Sequence, residues 1–418
     1  MAFISWKDIH FDSTVVDLHN HACMKHSMFS RNLGTKKKKF LSGIMERTSW
    51  PFSKRNTFPQ MDDGGVDVVL STNYIPEIGW KKDISTIKWV LRLFPSVRKK
   101  LFDPTYFDAT IGMMDEMELA IEVYNKERAE DSRPVRLVTN KNALYNAINV
   151  DDDNPIAIVH SVEGGHSLHG EIAGKEVCPC RDYEVGLSNE LLDNLDELYD
   201  RGVAYLTLAH FYKNYVSNPI FPYPEWSVPK AKWKEMYGRW DMNLGLTTYG
   251  KEIVRRMLDL GMLIDITHCT PTGRKEVYDI VDEVGATECL LASHMGCYEL
   301  NRDPMNLEDW EIKWFADHGC VLGVILMGYW LSPVDTDMAL KHIEQTVHHI
   351  QKVAGDDVAG IGTDLDGFTD PPDEIVSIDE MPRLTKYMAA TNHYTEEQLE
   401  KFLGKNSMRL LLNGWKKE

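Results

Sequence analysis

Val15-Val16-Asp17-Leu18-His19-Asn20-His21 is an apolar, β-type run that ends in two histidines one residue apart. Side chains alternate faces along a strand, so His19 and His21 point the same way and can reach one metal ion. Neutral imidazole is the commonest protein ligand for a metal, and the pair can form half of a zinc site. The chain holds 15 histidines, and about one His-x-His arises by chance in every two such sequences, so the motif alone is weak. Its weight comes from where the other short apolar runs end.

Those runs cover residues 14–20, 66–73, 156–163, 203–210, 262–268, 289–294, 320–327 and 358–364. Helical patterns at 113–125, 191–201, 248–260 and 338–354 separate several of them. Alternation of strand and helix implies parallel pairing, and eight repeats is the number that closes an α/β (β/α)₈ TIM barrel. An open doubly wound sheet is the competing architecture, but no glycine-rich dinucleotide fingerprint follows the first run. No Gly/Ser-rich linker divides the 418 residues, so a single domain is expected. Two insertions stand out. Residues 22–63 form a basic segment containing Lys36-Lys37-Lys38-Lys39, and residues 169–190 carry Cys178-Pro179-Cys180. A lysine run is usually a solvated face, and a lone Cys-Pro-Cys without a second pair reads as a loop. Loops on that side of a barrel surround the active site, so both insertions are expected to shape its mouth.

A net charge of −18 argues against nucleic acid as the main partner. No apolar run approaches the ~20 residues needed to span a bilayer. Met1-Ala2-Phe3-Ile4-Ser5-Trp6-Lys7 has no basic region followed by an apolar stretch, and the seven cysteines are an odd number, so a reducing cytoplasm is expected. Nothing in the sequence marks an interface, and a homodimer is left open.

The polar residues at the strand ends belong together. The third run, Ile156 to Val162, leads into Glu163-Gly164-Gly165-His166; the fourth ends in Ala209-His210; the fifth ends in Thr267-His268; the sixth ends in Ser293-His294; and the eighth continues into Asp364-Leu365-Asp366-Gly367. In a closed parallel barrel all these ends converge on one rim. One histidine or aspartate there is ordinary core or capping chemistry, but capping does not account for six. Imidazoles supply neutral ligands, and a carboxylate can bridge two cations while offsetting their charge, so the pattern points to a two-metal hydrolase. Glu163 suits the bridge because Gly164-Gly165 allows close backbone approach. Water held between two metals is acidified to hydroxide near neutral pH, and Asp364 is placed to move its proton to a leaving amine. His210 would face the substrate oxygen and stabilise a tetrahedral oxyanion. Trp330, just after the seventh run, is a candidate for the pocket wall.

Ser161-Val162-Glu163-Gly164-Gly165-His166-Ser167, Tyr205 to His210, Gly245 to Gly250 leading to Leu260 to His268, Ala292-Ser293-His294, Gly360 to Gly367 and Leu403 to Arg409 occur in order along the chain. Together they resemble the membrane (renal) dipeptidase family, peptidase family M19 of the amidohydrolase superfamily. The resemblance implies a zinc-dependent barrel that cleaves dipeptides, often with a D-residue at the C-terminal position. It implies two zinc ions held by His19, His21, Glu163, His268 and His294, with Glu163 bridging. It also implies His210 as the substrate-polarising histidine and Asp364 as the acid/base, with Asp366 the neighbour easily mistaken for it.

Two departures matter. The family's first motif is usually His-x-Asp, whereas this chain has His19-Asn20-His21, which keeps a ligand but makes the site one charge more positive. The family also has an arginine directly before an Asn-Leu/Val pair, holding the substrate's carboxylate. Here Met305 precedes Asn306-Leu307 and the nearest arginine is Arg302. Either Arg302 binds substrate through a changed loop, or a free C-terminal carboxylate is not recognised in the usual way. The expected activity is a metallo-dipeptidase. The alternatives are hydrolysis of another small amide, such as an N-acyl amino acid or a lactam, and a metal-dependent lyase or decarboxylase on the same barrel.

Overall fold

The computed structural model describes residues 5–35, 54–83, 94–175, 183–225, 227, 229–332, 339–367 and 371–417, with the side chains of Lys81 and Lys82 left aside. Lys36 to Lys39 and Cys178-Pro179-Cys180 lie outside the described residues.

Nine strands form one sheet: β1 (Val16–Asn20), β2 (Val68–Asn73), β3 (Val135–Val138), β4 (Ile156–Glu163), β5 (Tyr205–Thr207), β6 (Leu263–Asp265), β7 (Leu290–Met295), β8 (Val321–Val324) and β9 (Ala359–Ile361). All pairings are parallel. The order β2-β1-β9-β8-β7-β6-β5-β4 closes through a β2–β4 pairing into an eight-stranded barrel with helices around it. These eight strands are the eight apolar runs of the sequence. β3 is the ninth and was not anticipated. It pairs with the first half of β4 (Val135↔Ile156 to Val138↔Val159), while β5 takes the second half (Val162↔Leu206, Glu163↔Thr207). β4 is eight residues long, enough to seat two partners end to end on one edge.

The surrounding helices follow local rules. In Thr248–Leu260, Thr247 caps the start by accepting from the Gly250 N–H, and Gly261 ends it at φ 71. Ile253, Val254 and Met257 are buried on its inner face, each worth about 1.5–3 kcal/mol relative to exposure. Pro271–Val284 repeats the plan, with Thr270 as cap and Gly285 at φ 65. Such caps keep the helix connections short and the strand ends level, so the C-terminal rim is a defined surface.

Register slips mark that rim. β1 gains a residue against β2 between Asp17 and Asn20, and β7 gains one against β8 between Ala292 and Met295. The bulged stretches contain His19 and His294. Bulges re-aim side chains, and here they turn two imidazoles of the rim toward the barrel axis. No helix among the described residues is long and apolar enough to cross a membrane.

Candidate metal centre

Glu163, at the end of β4, is the hub of the rim. Its Oε1 lies 3.1 Å from His268 Nε2 and 3.5 Å from both His19 Nε2 and His294 Nε2. Its Oε2 lies 3.4 Å from His21 Nε2 and 3.7 Å from His210 Nε2. His19 and His21 approach each other at 3.1 Å through Nε2, as do His268 and His294. Asp364 Oδ1 is 3.1 Å from His21 Nε2 and 4.0 Å from His19 Nε2. His19, His21, Glu163, His210, His268, His294 and Asp364 are thus brought together, all buried.

The layer beneath fixes which nitrogen faces inward. The Ser293 hydroxyl donates to Asp265 Oδ2 (2.6 Å), so its oxygen accepts from Nδ1–H of His294 (2.8 Å) and of His19 (3.1 Å). The Tyr205 hydroxyl donates to the Leu18 carbonyl and is a second acceptor for the same His19 Nδ1–H, at 2.8 Å. With protons held on Nδ1, both rings present Nε2 lone pairs to the centre. Asp265 is itself pinned by Thr207 Oγ1, the N–H groups of Thr267 and Ser293, and Thr267 Oγ1.

This donor set fits divalent cations. Four ligands around zinc at about 2.0–2.1 Å lie roughly 3.3–3.4 Å from one another, which the separations around Glu163 match. Lone pairs converging at such distances repel unless a positive ion lies among them. Burial and the neighbouring histidines hold His19 and His294 well below the usual imidazole range, and burial lowers His21 and brings His268 to about 4. All four are therefore neutral, ligand-competent bases at pH 7. Burial pushes Glu163 up to about 7, against the pull of His210 and His21, and drives Asp364 well above the carboxylate range, helped by Asp17. Ionising two buried carboxyls in one place calls for positive charge. Overlapping groups of donors within 4.8 Å of one another are His19/Glu163/His294, His19/His21/Asp364 and Glu163/His210/His268.

Several site residues adopt backbone that side chains rarely take. His268, Asp364 and Asp366 have φ of 65, 53 and 70. The turn after Asp364 is tight enough that a Cβ on Gly367 would fall 1.9 Å from Asp364 Oδ1. Asp366 points elsewhere, into a buried ion pair with Lys25.

Two groups escaped the reading of the sequence. Glu77, after β2, is buried and accepts from the N–H groups of Phe211 (2.9 Å) and Tyr212 (3.3 Å) and from the Tyr74 hydroxyl (2.5 Å). His210 Nδ1 lies 3.1 Å from it, so that ring also turns Nε2 toward Glu163. Asp265 stood in a quoted motif but was assigned no role. A buried carboxylate in a loop leaves no periodic signal; the only hint for Glu77 is its place just past a strand end.

A cavity of about 250 Å³ opens above Glu163, walled by Tyr74, Trp80, Phe211, Tyr223, Tyr329 and Trp330. Phe211 and Tyr223 come from the long segment between β5 and the 248–260 helix, which the sequence did not single out. No described residue of the 22–63 or 169–190 insertions lines this cavity. Arg302 is exposed and absent from the wall. Its loop is held by buried Arg274, which pairs with Glu311 at 2.7 Å and donates to the carbonyls of Pro304 and Asn306. Asn306 ties the same loop to Gly296 N–H and the Trp330 carbonyl, and Met305 is buried beneath.

The chain is similar to a Klebsiella pneumoniae protein described as an uncharacterized protein in the pqqA 5′ region, at 31% identity over 178 residues, covering 42% of this chain and 63% of that one. It is also similar to an uncharacterized dipeptidase of Schizosaccharomyces pombe, at 27% identity over 224 residues, covering 53% and 48%. It therefore spans about half to just under two thirds of the length of these curated relatives. Among solved structures, the fold matches a Rhodobacter sphaeroides metallo peptidase liganded with a phosphinate mimic of the dipeptide L-Ala-D-Ala (TM-score 0.68, 17% identity, 96% of this chain and 99% of that one). It also matches the probable dipeptidase PvdM of Pseudomonas aeruginosa (TM-score 0.67, 14% identity, 98% and 97%). The family model described as membrane dipeptidase (peptidase family M19) matches residues 186–414, more than half of the sequence, and the chain belongs to that family.

Proposed function

We propose that this protein is a metal-dependent dipeptidase acting on small dipeptides, including those with a D-residue at the C-terminal position. The carrying observation is the convergence of four imidazole Nε2 atoms on one buried carboxylate at 3.1–3.5 Å. Family membership supports the reading, as do the relatives described as dipeptidases. His19, His21 and Glu163 would hold one ion, Glu163, His268 and His294 a second, with zinc the ion the donors suit best. Bound there, two divalent ions supply a nucleophilic water near neutral pH and polarise a carbonyl.

The chain's own groups do the rest. Asp364 takes the proton of the attacking water and delivers it to the leaving amine nitrogen. His210, steadied by Glu77, meets the carbonyl oxygen as charge develops on it. Tyr74, Phe211 and Trp330 exclude bulk water from the reacting atoms. We read the chain as one barrel domain of the cytoplasm, with homodimer formation left open.

The test is release of free amino acids from L-L and L-D dipeptides by zinc-loaded protein and by protein stripped with a chelator. Release that depends on metal, with both product amino acids in equal amounts, is expected. Carbon dioxide without amine would replace this reading with a lyase.

A further inference from the structure

The cavity above Glu163 is an aromatic cleft. Phe211 stacks on Trp80 at 5.1 Å with planes 6° apart, and on His210 at 3.9 Å and 17°. Trp330 lies parallel to His294 at 5.9 Å and 13°. Met327, Pro222 and Pro224 fill the gaps between the rings. The ionisable groups among the described lining residues are Glu163, Asp364, the histidines and the phenols of Tyr74, Tyr223 and Tyr329. Among the described residues, Lys25 is paired with Asp366, Arg239 with Asp83 and Arg274 with Glu311. Arg302 is exposed and is not among the described residues that line the cleft, although its loop is tied to the wall through Asn301 and Asn306 on the Tyr329 and Trp330 carbonyls.

A carboxylate entering such a cleft loses its hydration and meets the electron-rich faces of the rings. An aromatic or bulky apolar group gains both burial and stacking there. Building on the amide-cleaving reading above, we infer that the substrate group against Trp80, Phe211, Tyr223 and Trp330 is uncharged and apolar, an aromatic ring foremost. The site then takes amides of aromatic and bulky apolar residues, with no lysine or arginine among the described lining residues to hold a free C-terminal carboxylate. This selects the second branch left open by Met305.

The experiment compares four substrates on zinc-loaded full-length protein: Ala-Phe, Ala-Phe-amide, Ala-Ala and Ala-Ala-amide. Expected are values of kcat/KM for acid and amide within about threefold of each other, and a preference for Phe over Ala of about tenfold or more. Trp80→Leu is expected to collapse the Phe/Ala ratio while the acid/amide ratio stays near one. Free acids favoured thirtyfold or more over amides, with that preference lost in Arg302→Ala, would overturn the inference and leave the dipeptidase reading standing. If none of the four is cleaved, the dipeptidase reading fails, and quenching of tryptophan fluorescence decides the inference separately. Binding of N-acetylphenylalaninamide as tight as or tighter than that of N-acetylphenylalanine supports it; clearly tighter binding of the acid overturns it.

Discussion

Asp265→Asn changes one buried oxygen to an NH₂ group, and its effect can be followed bond by bond. Oδ1 accepts from the N–H groups of Thr267 (3.0 Å) and Ser293 (2.9 Å), so the amide must place its remaining oxygen there. The new NH₂ then occupies the Oδ2 position, facing the hydroxyls of Thr207 and Ser293, each 2.6 Å away. Ser293 can no longer donate in that direction. Its proton turns toward Nδ1 of His294 or His19, which must then accept, and the ring proton moves to Nε2, where a metal would bind. Loss of an outer partner of this kind typically weakens metal binding 10–100-fold, or about 1.4–2.7 kcal/mol. The loss is expected to be uneven. His19 keeps the Tyr205 hydroxyl as a second acceptor at 2.8 Å, whereas no second partner for His294 Nδ1 is seen among the described residues. On the proposed assignment, an ion held by Glu163, His268 and His294 should therefore leave first. Competition with a chromogenic chelator would read the two dissociation steps, with circular dichroism as the control for folding. A folded Asp265→Asn protein that binds both ions as tightly as the parent would refute the reasoning.

Three more outcomes follow from the same geometry. Asp364→Asn should retain bound metal while kcat falls about 10²–10⁴-fold, read by metal analysis and steady-state kinetics on one sample. Glu77→Gln takes away the acceptor-only partner of His210 Nδ1 and should lower kcat about 10²-fold with little change in metal content. His10, which bonds Thr385 Oγ1 and the Gly64 carbonyl, has its pKa lowered by burial, only partly offset by the Gly64 bond. Its unfolded form binds the proton more readily, so its contribution to stability is fully present above about pH 6.5 and is lost as pH falls below that value. Chemical denaturation at pH 7.5 and 5.5 should show a smaller drop for His10→Gln than for the parent.

Much of the fold was legible because strand and helix periodicities are local properties. The eight barrel strands are short apolar runs, and the 248–260 helix shows its Thr cap and terminal Gly in the letters themselves. β3 was missed because Val135-Arg136-Leu137-Val138 is too short for alternation to stand out, and its strand character comes from pairing with β4. The insertions chosen for the mouth were picked by length and charge. The segment that walls the cavity, carrying Phe211 and Tyr223, draws its shape from aromatic packing among Phe221, Trp233, Tyr237 and Trp240, which no composition count isolates.

What the sequence determined by itself is the class of architecture and the list of donors: eight parallel strands, six of them ending in or leading into a histidine or carboxylate, and the family those motifs resemble. Strand ends must meet on one rim when a barrel closes, so placing the donors needed no coordinates. Only the tertiary structure decided which nitrogen His19, His294 and His210 present, because that depends on Ser293, Asp265, Tyr205 and Glu77 being brought beside them. It also brought Asp364 beside His21 and His19, sent Asp366 to Lys25, and left Arg302 off the described cavity wall. Those outcomes hinge on contacts between residues up to hundreds of positions apart, and such contacts exist only once the chain has closed on itself.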